Sequence, residues 1–305
     1  MKIDVTTTHL PIYEALASDV RLRIIQLLSQ QDMNIKDIAQ ALELSSPIIT
    51  MHVKKLEKAG IISSEMISSG GGTKKMCKLI TDSIEIDFPS KNRAALRTYH
   101  ETIISIGHYT DFEVEPTCGL STTSKVIGMF DEPRFFLDAE RINAKILWFT
   151  SGFIEYKAAN FLLKSEKPTE LEISFEISSE APHANENWPS DISFYFNGVR
   201  IGIWTSPGDF GGTKRGKFTP DWWWDAVNQY GLLKRLKINN QGTFIDGQQI
   251  SDVTLDQIDV TNKKWKFRIA VEEDAENVGG VTLFGSGFGN YNQDIVMRLY
   301  YERNE

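Results

Sequence analysis

Cysteine is almost absent from this sequence. The 305 residues hold two, Cys77 and Cys118. Two distant cysteines cannot build a disulfide framework or a cysteine-rich metal site. Histidine is also scarce, with His9, His52, His100, His108 and His183 showing no paired ligand spacing. No metal and no cofactor is expected. No apolar run approaches the ~20 residues that a membrane-spanning helix needs. The opening residues, MKIDVTTTHLPIYEAL, lack the basic n-region and apolar h-region of a signal peptide. The expected compartment is the cytoplasm. No repeat of fixed period is visible. What remains is ordinary globular composition, 41% hydrophobic and 24% charged, over a length that suits two domains.

Charge is split unevenly. Residues 1–80 carry ten Lys/Arg against eight Asp/Glu, a balance of +2. The whole chain is −8, which leaves −10 for residues 81–305. A mildly basic head on an acidic body implies that any polyanion is met by the head.

The head reads as helices followed by a hairpin. From Pro11 to Gln31, Ile12, Ala15, Leu16, Val20, Ile24, Ile25, Leu27 and Leu28 recur at spacings of three and four. Ser18 is placed to cap a helix starting at Asp19. A short helix over Asn34–Leu42 carries Ile35, Ile38, Ala39 and Leu42 on one stripe. After a tight turn, Ser45 or Ser46 and Pro47 open a second helix that Gly60 ends. Its Ile49, Val53 and Leu56 form the buried stripe. Ser46, Thr50, Met51, Lys54, Lys55 and Lys58 form the other face. Two short helices joined this way make a helix-turn-helix. Strand-like runs Ile61–Ile67 and Lys74–Ile80 then flank the flexible tip Ser68–Thr73. Lys74, Lys75 and Lys78 on the return strand are placed to reach DNA phosphates, as a wing does. The expected DNA contacts are Ser46, Thr50, Met51, His52, Lys54, Lys55, Lys74 and Lys75.

The stretch Leu16-Ala17-Ser18-Asp19-Val20-Arg21-Leu22-Arg23-Ile24-Ile25 resembles the opening of ArsR-type winged helices. Ser46-Pro47-Ile48-Ile49-Thr50-Met51-His52-Val53-Lys54-Lys55-Leu56-Glu57-Lys58-Ala59-Gly60-Ile61-Ile62 resembles their recognition helix. The resemblance covers about residues 10–80 and implies a dimeric DNA-binding regulator. Metal-sensing members carry a Cys-x-Cys pair in the helix before the turn. Here that helix reads Ile35-Lys36-Asp37-Ile38-Ala39-Gln40-Ala41-Leu42, without Cys or His, which argues against metal sensing there. His52 matches a family position and reads as a helix residue bonding locally or to a phosphate.

The body reads as an antiparallel β-sandwich of jelly-roll type. Thr81–Lys91 looks like a connector, and Asn92–Gly107 fits either a dimerisation helix or a first strand. Strand-like runs follow at Tyr109–Glu115, Ala144–Thr150, Glu170–Ile177, Ile192–Asn197, Val199–Trp204, Leu232–Ile238, Gly242–Ile245, Gln248–Ile250, Trp265–Val271, Val281–Phe284 and Asp294–Glu302. Asn197-Gly198 and Asp246-Gly247 predict type I′ hairpins. The expected class is therefore α+β, with a winged helix-turn-helix domain over residues 1–90 and a sandwich over residues 91–305 for effector binding or oligomerisation.

Two Gly-rich segments interrupt the strands. Thr205–Trp224 contains three consecutive tryptophans and is followed by Tyr230, and Phe284–Asp294 carries Phe288 and Tyr291. Long loops in compact domains are usually functional, and aromatic planes beside polar groups suit a sugar ring. The alternative is that the tryptophans close the core. The expected ligand residues are Asp209, Arg215, Asp221, Trp222, Trp223, Trp224, Tyr230, Asn290 and Tyr291. The pattern loosely resembles carbohydrate-binding jelly rolls. Cys118 reads as a buried thiol, and Glu272–Asn277 as a solvated acidic turn in preference to a calcium loop.

The function these residues point to is a non-enzymatic transcription regulator. A homodimer reads operator DNA, and the body senses a small effector, for which a sugar is the simplest choice. The competing readings are a carbohydrate-active enzyme using two carboxylates among Asp209, Asp221, Asp225, Glu272 and Glu273, or a ligand-free protein-interaction module.

Overall fold

The computed structural model describes residues 1–69, 72–81, 83–88, 98–212 and 214–303. The chain divides into two compact units, Met1–Leu96 and Arg97–Glu305.

The N-terminal unit contains β1 (Lys2–Asp4), α1 (Leu10–Leu16), α2 (Asp19–Leu28), β2 (Met33–Asn34), α3 (Ile35–Ala41), α4 (Ser46–Lys58), β3 (Ile62–Ser69), β4 (Gly72–Leu79) and β5 (Glu85–Asp87). One apolar stripe from each helix meets in a single core. Ile24, Ile38, Ile49, Val53 and Leu56 are fully buried in it. Ser18 stands extended at the head of α2, but its side chain makes no capping bond. The cap with side-chain bonds is Asn34, whose Oδ1 accepts the Lys36 and Asp37 N–H groups at 2.9 and 3.2 Å. β2, β4 and β3 form a three-stranded sheet. The hairpin strands run to Ser69 and Gly72, so they are longer than the sequence implied, and residues 70–71 of the expected tip lie outside the described residues.

The expected connector is partly a strand. β5 pairs in parallel with β1, Ile3 opposite Ile86. Three-residue strands with mixed polar composition carry almost no periodicity, so neither was legible.

The C-terminal unit is an antiparallel sandwich. Its strands are β6 (Thr98–Ile104), β7 (Asp111–Glu115), β8 (Gly119–Ser121), β9 (Val126–Ile127), β10 (Ile146–Phe149), β11 (Ser151–Ala159), β12 (Glu166–Ser178), β13 (Ser190–Phe196), β14 (Val199–Ser206), β15 (Leu232–Asn239), β16 (Gly242–Ile245), β17 (Gln248–Ser251), β18 (Lys264–Val271), β19 (Val281–Phe284) and β20 (Ile295–Arg303). One sheet has five strands in the order β14-β13-β18-β11-β7. The other has ten, running β17-β16-β15-β12-β19-β10-β8-β9, with β20 between β12 and β6. Alternate residues of the facing strands fill the core, including Phe149, Ile154, Tyr156, Phe175, Phe194, Phe267 and Leu283. Asn197 and Gly198, and Asp246 and Gly247, all take positive φ (48°, 85°, 49° and 89°) and close the two expected hairpins.

The Asn92–Gly107 segment resolves as an edge strand over 98–104, followed by a short 3-10 turn; residues 92–97 lie outside the described residues. β11 was not expected. Its Ser, Gly, Lys and Ala residues dilute the strand signal, although Ile154 and Tyr156 point inward at alternate positions. Both cysteines are free and buried, and burial pushes the Cys77 thiol up to about 11 and the Cys118 thiol to about 12. No described helix is long and apolar enough to cross a membrane.

Candidate nucleic-acid interface and ligand site

The recognition helix is built from its buried stripe outward. Ile49, Val53 and Leu56 lock α4 onto the core, and Met51, Lys54, Lys55 and Lys58 are left exposed. Pro47 occupies the first turn, where its missing N–H costs nothing. Thr50 is half-buried and its hydroxyl donates to the Ser46 carbonyl at 2.8 Å.

Two of the expected DNA contacts have other partners. His52 is turned toward Arg21, with Nδ1 3.3 Å from the guanidinium Nη1. Burial, then the charges of Arg21 and Lys55, lower its pKa, so it is neutral at pH 7. Lys75 Nζ is bonded to Glu57 Oε2 at 2.9 Å, and the Ser64 hydroxyl donates to the other oxygen of that carboxylate. Burial pushes the Glu57 carboxyl up, but these bonds hold it below the usual carboxylate range. Met51, Lys54 and Lys55 on α4 and Lys74 on the wing are exposed, with no hydrogen-bonded side-chain partner among the described residues.

In the body, the segment from Ser206 to Gly231 folds over the outer face of the ten-stranded sheet. Leu147, Phe149 and Leu283 point into the main core, so their neighbours Ile146, Trp148 and Phe284 point outward. Trp223 and Phe288 cover these residues and close a second, smaller core. The two Gly-rich loops touch. The Phe218 N–H donates to the Gly289 carbonyl at 2.8 Å, and the Lys217 N–H to Asn290 Oδ1 at 2.9 Å. The Trp223 and Phe288 rings meet edge to face at 5.3 Å.

The three tryptophans therefore divide. Trp223 is 2% exposed and structural, with its indole N–H donating to the Asn228 carbonyl. Trp222 is 37% and Trp224 50% exposed. Arg215 clamps the turn that carries them, bonding Asp225 Oδ1 at 2.5 Å and the Pro220 carbonyl, with Asp221 3.9 Å away. The remaining expected ligand residues sit elsewhere. Asp209 is 1% exposed and its Oδ2 accepts the Ala181 N–H. Tyr230 stacks on Phe210 at 5.5 Å. Asn290 and Tyr291 donate backbone N–H groups to Glu176 and staple their loop to β12.

Sequence reasoning missed four participants. Phe130, 43% exposed, packs 5.6 Å from Trp224 and 5.4 Å from Trp148, and extends the exposed aromatic surface. Phe130 and Trp148 lie in segments with no local signal for the site. Glu176 lies inside the strand expected over Glu170–Ile177 and Glu180 just beyond it, and neither carries a local signal for the site. Glu176 accepts three N–H bonds, from Gly231, Asn290 and Tyr291, and burial pushes its pKa up to about 7 despite them. A side chain at Gly289 would meet this carboxylate, with the Cβ 2.2 Å from Oε1, so glycine is required there.

The carboxylates of the enzyme reading do not converge. Glu272 and Glu273 line a cleft on the five-stranded sheet with Glu113, Phe153 and Arg268, whereas Asp209, Asp221 and Asp225 belong to the loop over the other sheet. Among the described residues no group of three or more His, Cys, Asp or Glu side chains gathers as a metal cage.

Known proteins match in line with the first unit. Residues 18–64 match the model of the bacterial regulatory protein, arsR family. An uncharacterised helix-turn-helix transcriptional regulator of Methanocaldococcus jannaschii is 37% identical over 65 residues, 21% of this chain and 68% of the relative. A solved fragment of a possible transcriptional regulatory protein from Mycobacterium bovis is 20% identical, covering 23% of this chain and 71% of that one, with a TM-score of 0.21. Over the body, the CBM36-1 domain of a multidomain xylanase from the hindgut metagenome of Trinervitermes trinervoides is 8% identical, covering 65% of this chain and 96% of that one, with a TM-score of 0.30. The helix-turn-helix with its wing, and the match to the regulator of M. jannaschii, identify the chain as a DNA-binding transcription regulator that belongs to the arsR family.

Proposed function

We propose that this regulator reads a two-fold operator as a homodimer through its N-terminal unit, and that its C-terminal unit senses a neutral, hydroxyl-rich effector, most simply a mono- or oligosaccharide. The body acts as a sensor and performs no reaction. The observation that carries the effector reading is the exposed aromatic surface of Phe130, Trp222 and Trp224, with Trp224 in ring contact with the other two, beside Arg215, Asp221 and Asp225. Indole and phenyl planes take the apolar face of a sugar ring, and these polar groups offer donors and acceptors to its hydroxyl edge. A sugar needs no charge partner, in keeping with a body that is acidic overall. On the DNA side, Lys54, Lys55 and Lys74 supply exposed cations for phosphates, and Met51 an exposed side chain for base edges.

The test is a sugar panel followed by tryptophan fluorescence on the full chain, with operator binding measured in parallel. A saccharide should change the emission and shift operator affinity, and Trp224→Ala should remove both responses while leaving basal DNA affinity intact. A panel with no response, or a response kept in Trp224→Ala, overturns the effector reading. A monomer on operator DNA by light scattering overturns the dimer.

A further inference from the structure

Five buried side-chain polar atoms have no hydrogen-bond partner among the described residues, and four of them lie together. They are Ser179 Oγ, Trp188 Nε1, Ser190 Oγ and Asp209 Oδ1. Their segments are laced to one another at one end of the sandwich. The Ser179 N–H donates to the Gly208 carbonyl at 3.1 Å, the Trp188 N–H to the Pro207 carbonyl at 3.0 Å and the Asp209 N–H to the Asn185 carbonyl at 2.9 Å. Ser190 stands opposite Ser206 in the β13–β14 pairing. Buried polar groups are nearly always satisfied, so a cluster of open ones asks for a reason.

Asp209 is the sharpest case. It is 1% exposed, one oxygen accepts the Ala181 N–H at 3.3 Å, and the other has no partner. Glu180, one residue before Ala181, is half-buried, and burial, then the charge of nearby Asp209, push its carboxyl well up. Glu180 accepts from Asn228 Nδ2 at 2.8 Å, Thr282 Oγ1 at 2.9 Å and Thr117 Oγ1 at 3.4 Å, all neutral donors. No cationic side chain pairs with either carboxylate among the described residues. A fully buried carboxylate beside a half-buried one, without a counter-charge, is an unfavourable arrangement unless a proton or a cation sits with them.

We propose that Asp209 and Glu180 hold a hard divalent cation of the calcium class. The groups bonded to the two carboxylates offer hydroxyl and carbonyl oxygens, and the buried Cys118 thiol, next to Thr117, is pushed up to about 12 and stays protonated, so the oxygen set favours a hard ion over zinc or copper. Calcium tolerates an irregular shell that mixes carboxylates with hydroxyl and carbonyl oxygens, whereas magnesium demands a near-ideal octahedron with several waters. The cation anchors the tryptophan loop to the segment that follows β12, because Glu180 also binds Asn228 of that loop. The inference is independent of what the aromatic surface binds.

The experiment uses the full chain, stripped with EDTA and desalted. Thermal unfolding is followed with and without calcium, and terbium luminescence is excited through tryptophan. Calcium at about 100 times its Kd should raise the unfolding temperature of the body by roughly 5–10 °C, and terbium should emit. Asp209→Asn and Glu180→Gln, each checked for native circular dichroism, should lose both signals. Glu273→Gln, on the acidic turn at the other sheet, should keep both. No calcium shift and no terbium emission in the wild type overturns the proposal in favour of a shared proton or an ordered water. Signals kept in both Asp209→Asn and Glu180→Gln, or lost in Glu273→Gln, overturn it as well.

Discussion

Arg21 and His52 meet inside the N-terminal unit, Nη1 to Nδ1 at 3.3 Å, while the same guanidinium donates to the Ala15 and Glu14 carbonyls at 2.7 and 2.6 Å. One buried cation thus ties the end of α1 to the middle of the recognition helix. Arg21→Met should destabilise the N-terminal unit by about 2–3 kcal/mol, since charged hydrogen bonds are lost and two carbonyls lose their donors. The check is urea unfolding followed by amide exchange in α4.

The contact also sets a pH dependence. His52 has a folded pKa below its ordinary 6.5, mainly through burial. The unfolded chain therefore binds the proton more readily, and this unit should lose stability as pH falls below about 6.5. His52→Gln should reduce that loss in melts taken from pH 8 to pH 5.

On the DNA face, lysines should not behave alike. Lys54 and Lys74 are exposed, while Lys75 is held by Glu57 at 2.9 Å. Lys54→Ala and Lys74→Ala should each lower the slope of log affinity against log salt by about one unit. Lys75→Ala should change it less. Titration of operator DNA over a salt series distinguishes the three.

The tryptophans should separate just as sharply. Trp223→Ala empties the second core and should cost about 3–5 kcal/mol of body stability. Trp224→Ala removes a half-exposed ring and should cost under about 1 kcal/mol. Effector response is therefore read cleanly only in the Trp224 variant. Thermal melts of both variants test the distinction.

Burial pushes the Asp209 pKa up from 3.8 to about 7. In the metal-free protein the folded state therefore holds the proton more tightly than the unfolded one. That contribution to stability is complete below about pH 4 and is lost as pH rises through 7. Glu176, raised to about 7, adds to the same trend. Asp209→Asn should flatten the decline measured in EDTA between pH 5 and 8.

The sequence by itself determined the DNA-reading half. Caps, helical stripes and a Gly stop are local signals, and α4 spans Ser46–Lys58 as its pattern implied. The two type I′ hairpins were legible for the same reason, because Asn-Gly and Asp-Gly satisfy positive φ without help from distant residues. Tertiary structure decided which side of each element faces a partner. It turned His52 toward Arg21 and Lys75 toward Glu57, pairings that span 31 and 18 residues. It laid Trp223 over Trp148 and Phe288 and left Trp222 and Trp224 exposed, although all three tryptophans are identical in local sequence signal. It brought Phe130 to the aromatic surface, buried Glu176 beneath the covering loop and buried Asp209 within it. Composition names the groups able to stack or carry charge. Whether they face water, a core or one another depends on long-range packing, which a linear pattern does not encode.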